Sequence, residues 1–344
     1  MINIKQKTAL TLSAMVLAGG MATAQSIVKS ERIAPGLYEL AVSEKDNHVY
    51  VASVGSRTTP GGYIFKLDPQ TLAKVDSFNL KETPPFGVTI NQKTQTLYTS
   101  NTRTNSVSAV DLKTGKVLAT IKHGKEKSHT RELIVDEDTN TIYVSDVGDP
   151  SSIWVIDGKT NTFSYLIENT GKTTTGMALD KKKKQIYVTN MGSNEIAVID
   201  VASKKVVRTF PSVGESPTNI IFDAKGDRLF VVNQKTADLN VFEASTGKHI
   251  HNIKTGEGAL GVNYDAKRNR IYVANRTAGT VTVIDAKTYA VVSSLNTGTY
   301  PNTVAINPKT GNAYVTNKAK SARRDDPTPQ APDLNGDTVT LIKL

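Results

Sequence analysis

The sequence predicts an all-β fold, a closed ring of seven four-stranded antiparallel sheets known as the seven-bladed β-propeller. Three observations predict it. A Tyr-Val-x-Asn signature, with small variations, recurs at Tyr50, Tyr98, Tyr143, Tyr187, Phe230, Tyr272 and Tyr314, in steps of 48, 45, 44, 43, 42 and 42 residues. That period is the length of a propeller blade. Each unit holds short apolar runs rich in Val, Ile and Thr, separated by turns of Asp, Gly, Lys and Asn, as strands and tight turns require. The seventh unit ends one strand short, and one unassigned strand precedes the first unit.

Within a unit, the first strand lies nearest the ring axis. Ten residues before each signature aromatic stand Leu40, Val88, Leu133, Met177, Ile220, Val262 and Val304; eight before stand Val42, Ile90, Val135, Leu179, Phe222, Tyr264 and Ile306. Residues two apart on a strand share a face, so one face of every first strand is apolar. A single blade has nothing to bury that face against, and stacking on its neighbour provides the burial. Eleven residues before the aromatic, glycine appears at Gly87, Gly176 and Gly261, as crowding near the axis favours.

The third strand of the first six units ends in an acid: Asp68, Asp111, Asp157, Asp200, Glu243 and Asp285. An acid before a turn accepts hydrogen bonds from turn amides, so these six are turn residues rather than catalysts. The seventh unit ends on its third strand, "TVTLIKL". Placing "QSIVKSERI" (Gln25 to Ile33) as its outer strand closes the ring and removes an exposed edge.

Residues 1–24 are expected to be a cleaved signal peptide, with the propeller occupying 25–344. Lys5 and Lys7 precede an apolar run, Thr8 to Met21, and Ala22-Thr23-Ala24 is a small-x-small cleavage site. The run is too short and too rich in Gly and Ala to span a bilayer. Export to the periplasm follows, with no membrane span in the mature chain. The sequence has no cysteine, which excludes disulfides, thiol nucleophiles and c-type haem attachment. Its formal charge of +10 falls to +8 without the two leader lysines, a balance that suits acidic partners only where it is concentrated.

The seven signature copies, with Val-Ile-Asp thirteen residues on, resemble the YVTN-repeat propellers over the whole mature chain. The length, the leader, the N-terminal closure and the stretch "TRELIVDEDTNTIYVSDVG" (Thr130 to Gly148) resemble the periplasmic YncE-like subgroup. The resemblance implies a non-enzymatic binding protein, with single-stranded DNA as the suggested ligand. No site residue travels with the repeat motif.

Catalytic and metal-binding sets are sparse. His249 and His251 could share a face of an outer strand, where they are expected to be solvent-exposed. His123 and His129 share the loop "KHGKEKSH" (Lys122 to His129) with Glu126, but its lysines oppose a cation. Glu39 and Glu132 stand at equivalent first-strand positions near the channel, where two acids could hold Ca²⁺ or act as an acid/base pair. They belong to non-adjacent repeats, one and three, and Arg131 beside Glu132 is expected to neutralise it. There is neither a Gly-x-Ser-x-Gly elbow nor a phosphate-binding glycine loop. No cofactor is expected and no enzyme activity.

The chain departs from its own repeat in three places. Five residues are added around "RTTPGG" in unit one and sixteen in "KAKSARRDDPTPQAPDLNGD" of unit seven, both between second and third strands; "KHGKEKSH" lengthens the connection from unit two to unit three. These loops share one face, and units seven, one, two and three are consecutive in a closed ring. Variable loops on a rigid scaffold are where function sits. The expected polyanion site on this sector comprises Arg57, Phe86, Arg103, Lys125, Lys127, Arg131, Lys318, Lys320, Arg323 and Arg324. Phe86, with Tyr38 and Tyr300, is placed to stack on bases or to pack the channel mouth. Lys181 to Lys184 form a turn on the opposite face. The expected partner is single-stranded DNA or another polyanion, bound by a monomer. An acidic envelope protein docked on the unit-seven loop is the second reading, and an enzyme at the channel mouth the third.

Overall fold

A computed structural model describes residues 25–56, 59–124, 128–320 and 332–343. They form twenty-eight strands in seven antiparallel sheets of four, the predicted propeller. The innermost strands are Leu37–Ser43, Gly87–Asn91, Thr130–Asp136, Thr174–Asp180, Pro217–Asp223, Ala259–Asp265 and Pro301–Ile306; they begin blades 1 to 7. No described helix is long and apolar enough to cross a membrane.

The N-terminal strand closes the ring. Ser26–Arg32 pairs antiparallel with Thr338–Lys343, outermost in blade 7, from Ser26 opposite Lys343 to Arg32 opposite Thr338. A buried carboxylate ties the seam. Asp337, 5% exposed, accepts from the amides of Gly36 (3.0 Å), Leu37 (3.3 Å) and Ala319 (3.2 Å), while its own carbonyl accepts from Ile33 (3.0 Å). One residue thus joins blade 1 and the long loop of blade 7 through its side chain, and the closing strand through its carbonyl.

The core is divided among the blade junctions. Each of seven buried clusters combines residues of consecutive blades. At the closing junction Tyr314, Val339 and Leu341 of blade 7 pack on Leu37, Leu40 and Val51 of blade 1. All seven signature aromatics are at most 4% exposed. Tyr98 donates to Asn161 (2.8 Å), and Tyr314 to the Pro69 carbonyl (2.9 Å). The signature asparagine fastens the third strand: Asn275 donates to Thr280 and Thr282, and Asn317 to Thr338 and Thr340.

The strand-ending acids act as turn acceptors. Asp68 takes the amides of Gln70 and Thr71, Asp111 that of Thr114, Asp157 that of Lys159, Asp200 that of Ser203, and Asp285 those of Lys287 and Thr288. Glu243 differs: its carboxylate takes the Thr246 hydroxyl, since the extra methylene carries it past the amides. The unit-one insertion largely lengthens the second and third strands, His48–Gly55 and Pro60–Leu67, whose pairing runs on to Gly55 opposite Pro60.

Replacing Asp337 with alanine leaves buried amide donors without an acceptor, at a cost of about 3 kcal/mol. Deleting Gln25 to Ile33 bares the edge of blade 7. Both variants are expected to unfold at lower urea concentration than the parent, and an unchanged midpoint for the deletion would refute N-terminal closure.

Candidate binding face and channel

Second-to-third-strand loops and inter-blade connections emerge on one face, because neighbouring strands are antiparallel. The described ends of the long connections of blades 7 and 1 and of the link from blade 2 to blade 3 lie there, in consecutive positions around the closed ring. Five residues of the expected polyanion site, Arg57, Lys125, Lys127, Arg323 and Arg324, lie outside the described residues. Phe86, Arg103, Arg131, Lys318 and Lys320 are described.

Four of these five join a run of cations laid on aromatic rings. Arg103, in the short turn Thr102–Thr104, donates to the Val54 carbonyl (3.2 Å), and its guanidinium lies 5.5 Å from the Phe86 ring centre. Phe86 meets Tyr38 edge to face at 4.7 Å, and the Lys318 ammonium lies 3.8 Å from the Tyr38 ring. Tyr300 is flanked by Lys320 at 5.8 Å and Arg276 at 4.8 Å. Tyr38 and Phe86 stand together at the channel mouth. They line a vestibule of about 80 Å³ with Thr102, His129, Arg131 and Asn302.

Arg276 is a functional candidate outside the expected site. It comes from blade 6, donates to Asn302 (2.9 Å) at the mouth, and feels the charge of Arg131. Burial lowers its pKa from the usual arginine value. Blade 6 packs directly on blade 7, where the sector begins, so Arg276 extends the basic sector.

Below the mouth, the residues eleven before each signature aromatic form a ring: Glu39, Gly87, Glu132, Gly176, Asn219, Gly261 and Thr303. Blades 2, 4 and 6 contribute glycine, and blades 1, 3, 5 and 7 contribute side chains. A Cβ on Gly87 would lie 2.4 Å from the Arg131 carbonyl, one on Gly176 2.6 Å from the Asn219 Cα, and one on Gly261 2.4 Å from the Asn302 carbonyl. The alternation is therefore forced by space. Bulges set the direction of these side chains. Pairing of first and second strands slips between Leu37 and Leu40 and between Thr130 and Leu133, which re-aims Tyr38, Glu39, Arg131 and Glu132. A hydroxyl on the second strand satisfies the displaced amide: Ser100 for Gly87, Ser145 for Glu132, Thr189 for Gly176 and Thr316 for Thr303. Ser100 and Thr316 also donate to the next blade's bulge, at the carbonyls of Arg131 and Tyr38.

Glu39 and Glu132 thus enter one cavity of about 280 Å³ on the axis. Glu39 accepts the Val88 amide (3.2 Å), and Glu132 accepts from Asn219 (3.3 Å) across the gap left by Gly176. Blades 1 and 3 are not neighbours, but with only glycine between them the charge of Glu132 reaches Glu39. Burial, reinforced by that like charge, pushes Glu39 up to about 8 against the pull of Arg131 and the Val88 amide. Burial pushes Glu132 up to about 7 against Arg131 and Asn219. The expected neutralisation by Arg131 is therefore incomplete. Among the described residues its guanidinium makes no ion pair within 4.0 Å and no hydrogen bond.

The histidine pairs do not converge. His249 bonds to Asn240 (2.8 Å) and is partly buried rather than exposed, while His251 stacks on Tyr289. His123 packs edge-on against Trp154 and bonds to Ser128. Among the described residues no three His, Cys, Asp or Glu side chains cluster as metal ligands would.

The model of the YNCE-like beta-propeller family matches residues 144–324, more than half of the chain. The chain belongs to this family. The matched region runs from the second strand of blade 3 into blade 7. Among curated relatives, the protein YncE of Escherichia coli O157:H7 is 36% identical over 216 residues, 60% of this chain and 61% of that protein. YncE of Salmonella typhi is 39% identical over 207 residues, 58% of each. The alignments thus span about three-fifths of these relatives' lengths. Hydrazine synthase of Kuenenia stuttgartiensis matches at a TM-score of 0.69 and 17% identity, over 82% of this chain and 93% of that one; this likeness shows the fold alone.

A carboxyl whose pKa rises on folding holds its proton more tightly in the native state, so native stability falls as pH climbs from the ordinary carboxyl range through the raised values. The melting temperature is expected to drop between about pH 5 and pH 9 in part for this reason. Glu39→Gln, which stays neutral and can still accept the Val88 amide, should flatten that drop, and scanning calorimetry across the range checks it.

Proposed function

We propose that the protein is an exported, non-enzymatic periplasmic binding protein that holds single-stranded nucleic acid on the loop face. One observation carries the reading: the cation-backed aromatics Phe86, Tyr38 and Tyr300 run round the channel mouth with Arg103, Lys318, Lys320 and Arg276. Single strands are bound by stacking bases on aromatic or guanidinium planes while lysine and arginine follow the phosphates. Base-edge readout needs fixed donors and acceptors presented to each base. An arc of rings and long cations reads stacking and charge instead, so sequence preference is slight. Arg57, Lys125, Lys127, Arg323 and Arg324 belong to loops of the same sector and add charge along the path. The leader-like residues 1–24 support export, and mass spectrometry of exported protein should find an N-terminus at Gln25.

Phosphate neutralisation releases counterions, so the log of affinity for an oligonucleotide should fall with the log of salt by about 0.7 per phosphate engaged. Replacing Lys318 and Lys320, or Arg323 and Arg324, with alanine should weaken binding of all sequences alike and reduce that slope by about 0.7 for each phosphate no longer neutralised. Tyr300→Ala should weaken binding by roughly 1–3 kcal/mol and leave the slope nearly unchanged, because stacking releases no counterion. Alanine at Lys181 to Lys184 removes twice the charge of either pair, from the opposite face, and should do neither. Equal weakening by that variant would reduce the attraction to net charge. A parent that binds no oligonucleotide would hand the loop face to an acidic protein partner.

A further inference from the structure

We infer that the axial cavity is a second binding site, for a small zwitterion that carries an ammonium and a carboxylate close together, as a free α-amino acid does. The inference stands apart from nucleic-acid binding, since it concerns the channel beneath the mouth.

The cavity is enclosed by six of the seven blades, and blade 4 contributes none of its lining. Its charged lining residues are Glu39, Glu132 and Arg131, with Glu44 the fourth. His129 and Tyr38 join Glu39 and Arg131 at the vestibule. Polar Asn219, Asn302 and Thr303 complete the wall. Charges withdrawn from bulk water are costly unless they are paired. The economical solution inside one protein is a direct salt bridge. Here the bulge that turns Arg131 and Glu132 into the cavity leaves the guanidinium and both carboxyls more than 4.0 Å apart. Each carboxyl has one side-chain acceptor bond from the protein, to Val88 and Asn219 respectively. The guanidinium has no partner among the described residues. Hydrogen-bonding capacity of both signs therefore points into one small space.

That pairing selects the ligand. A simple anion meets two glutamates, and a simple cation or metal ion meets Arg131, while among the described residues no third acid clusters with Glu39 and Glu132 as metal ligands would. A compact zwitterion satisfies both: its ammonium donates to Glu39 and Glu132, and its carboxylate accepts from Arg131 on the mouth side. Arg276, held at the mouth by Asn302 and Tyr300, adds positive potential where the carboxylate would lie. Binding an ammonium between the carboxyls favours their ionised forms, so uptake should release a proton near neutral pH.

The test is calorimetric titration of the protein spanning residues 25–344 with glycine, alanine and serine, and with propylamine and propionate, which each carry one of the two charges. We expect an amino acid to bind, the single-charge analogues not to, and the observed heat near neutral pH to vary with the buffer's ionisation enthalpy. Arg131→Gln and Glu132→Gln should each weaken binding roughly tenfold or more, as removal of one charged hydrogen bond would, and calorimetric melting shows whether each variant remains folded. Propylamine binding as tightly as the amino acids would overturn the zwitterion assignment without touching the loop-face reading. Absence of heat and of any melting shift from the folded parent, with every amino acid at millimolar concentration, would overturn the site.

Discussion

No blade of this protein has a core of its own, and the rest of the structure follows from that constraint. Every large buried cluster straddles two blades, so each sheet depends on both neighbours and the ring must close. Closure explains why Ser26–Arg32 crosses to the far end of the chain. It also explains the buried Asp337, which holds three amides at the seam where the first and last blades meet. An open ring would leave Tyr314 and Leu341 without the apolar surface of blade 1.

Closure crowds the axis, and the way the chain relieves the crowding creates the channel. Glycine on alternate blades makes room, and the bulges turn the intervening side chains inward. The serine or threonine of the signature then has a double task. It satisfies the displaced amide of its own blade, and in blades 2 and 7 it also binds a carbonyl of the next. The repeat that specifies the fold thereby fixes the positions of Arg131, Glu132, Tyr38 and Glu39. Scaffold and candidate site are joined at these hydroxyls.

The fold was legible because it is written seven times, with period-2 alternation inside each strand and a near-constant step between units. The closing strand was legible as a missing element at one end and a surplus one at the other. The loop-face sector was legible as departures from the repeat, and the described members Phe86, Arg103, Lys318 and Lys320 do share one arc. The bulges were not legible, because hydrogen-bond register leaves no mark on an apolar pattern. Without them Glu39 and Glu132 look like acids on non-adjacent blades. The alternation of Gly87, Gly176 and Gly261 with Glu39, Glu132, Asn219 and Thr303 was the available signal, and reading the whole ring position rather than its glycines alone would have found the shared cavity. Arg276 was missed because unit six carries no departure from the repeat to draw attention to it.

The two candidate sites are separated by sign. Cations on the loop face surround the mouth, and carboxyls occupy the space beneath it. On the proposed reading, a phosphate chain drawn to Arg103, Lys318 and Lys320 would meet negative potential in the channel wherever Glu39 or Glu132 is ionised, and would stay on the rim where the aromatic rings lie. Arg131 stands at the boundary, lining both the vestibule and the cavity. Its charge is only partly offset, because Glu39 and Glu132 are held toward their neutral forms. A zwitterion bound below would engage the guanidinium and ionise the carboxyls together, making the mouth less positive. Occupancy of the channel would then oppose attraction of a polyanion to the rim through a single shared arginine, with no movement of the blades. A rigid ring can couple two sites in this way because the coupling is electrostatic, and the bulge in blade 3 places consecutive residues, Arg131 and Glu132, on either side of the boundary.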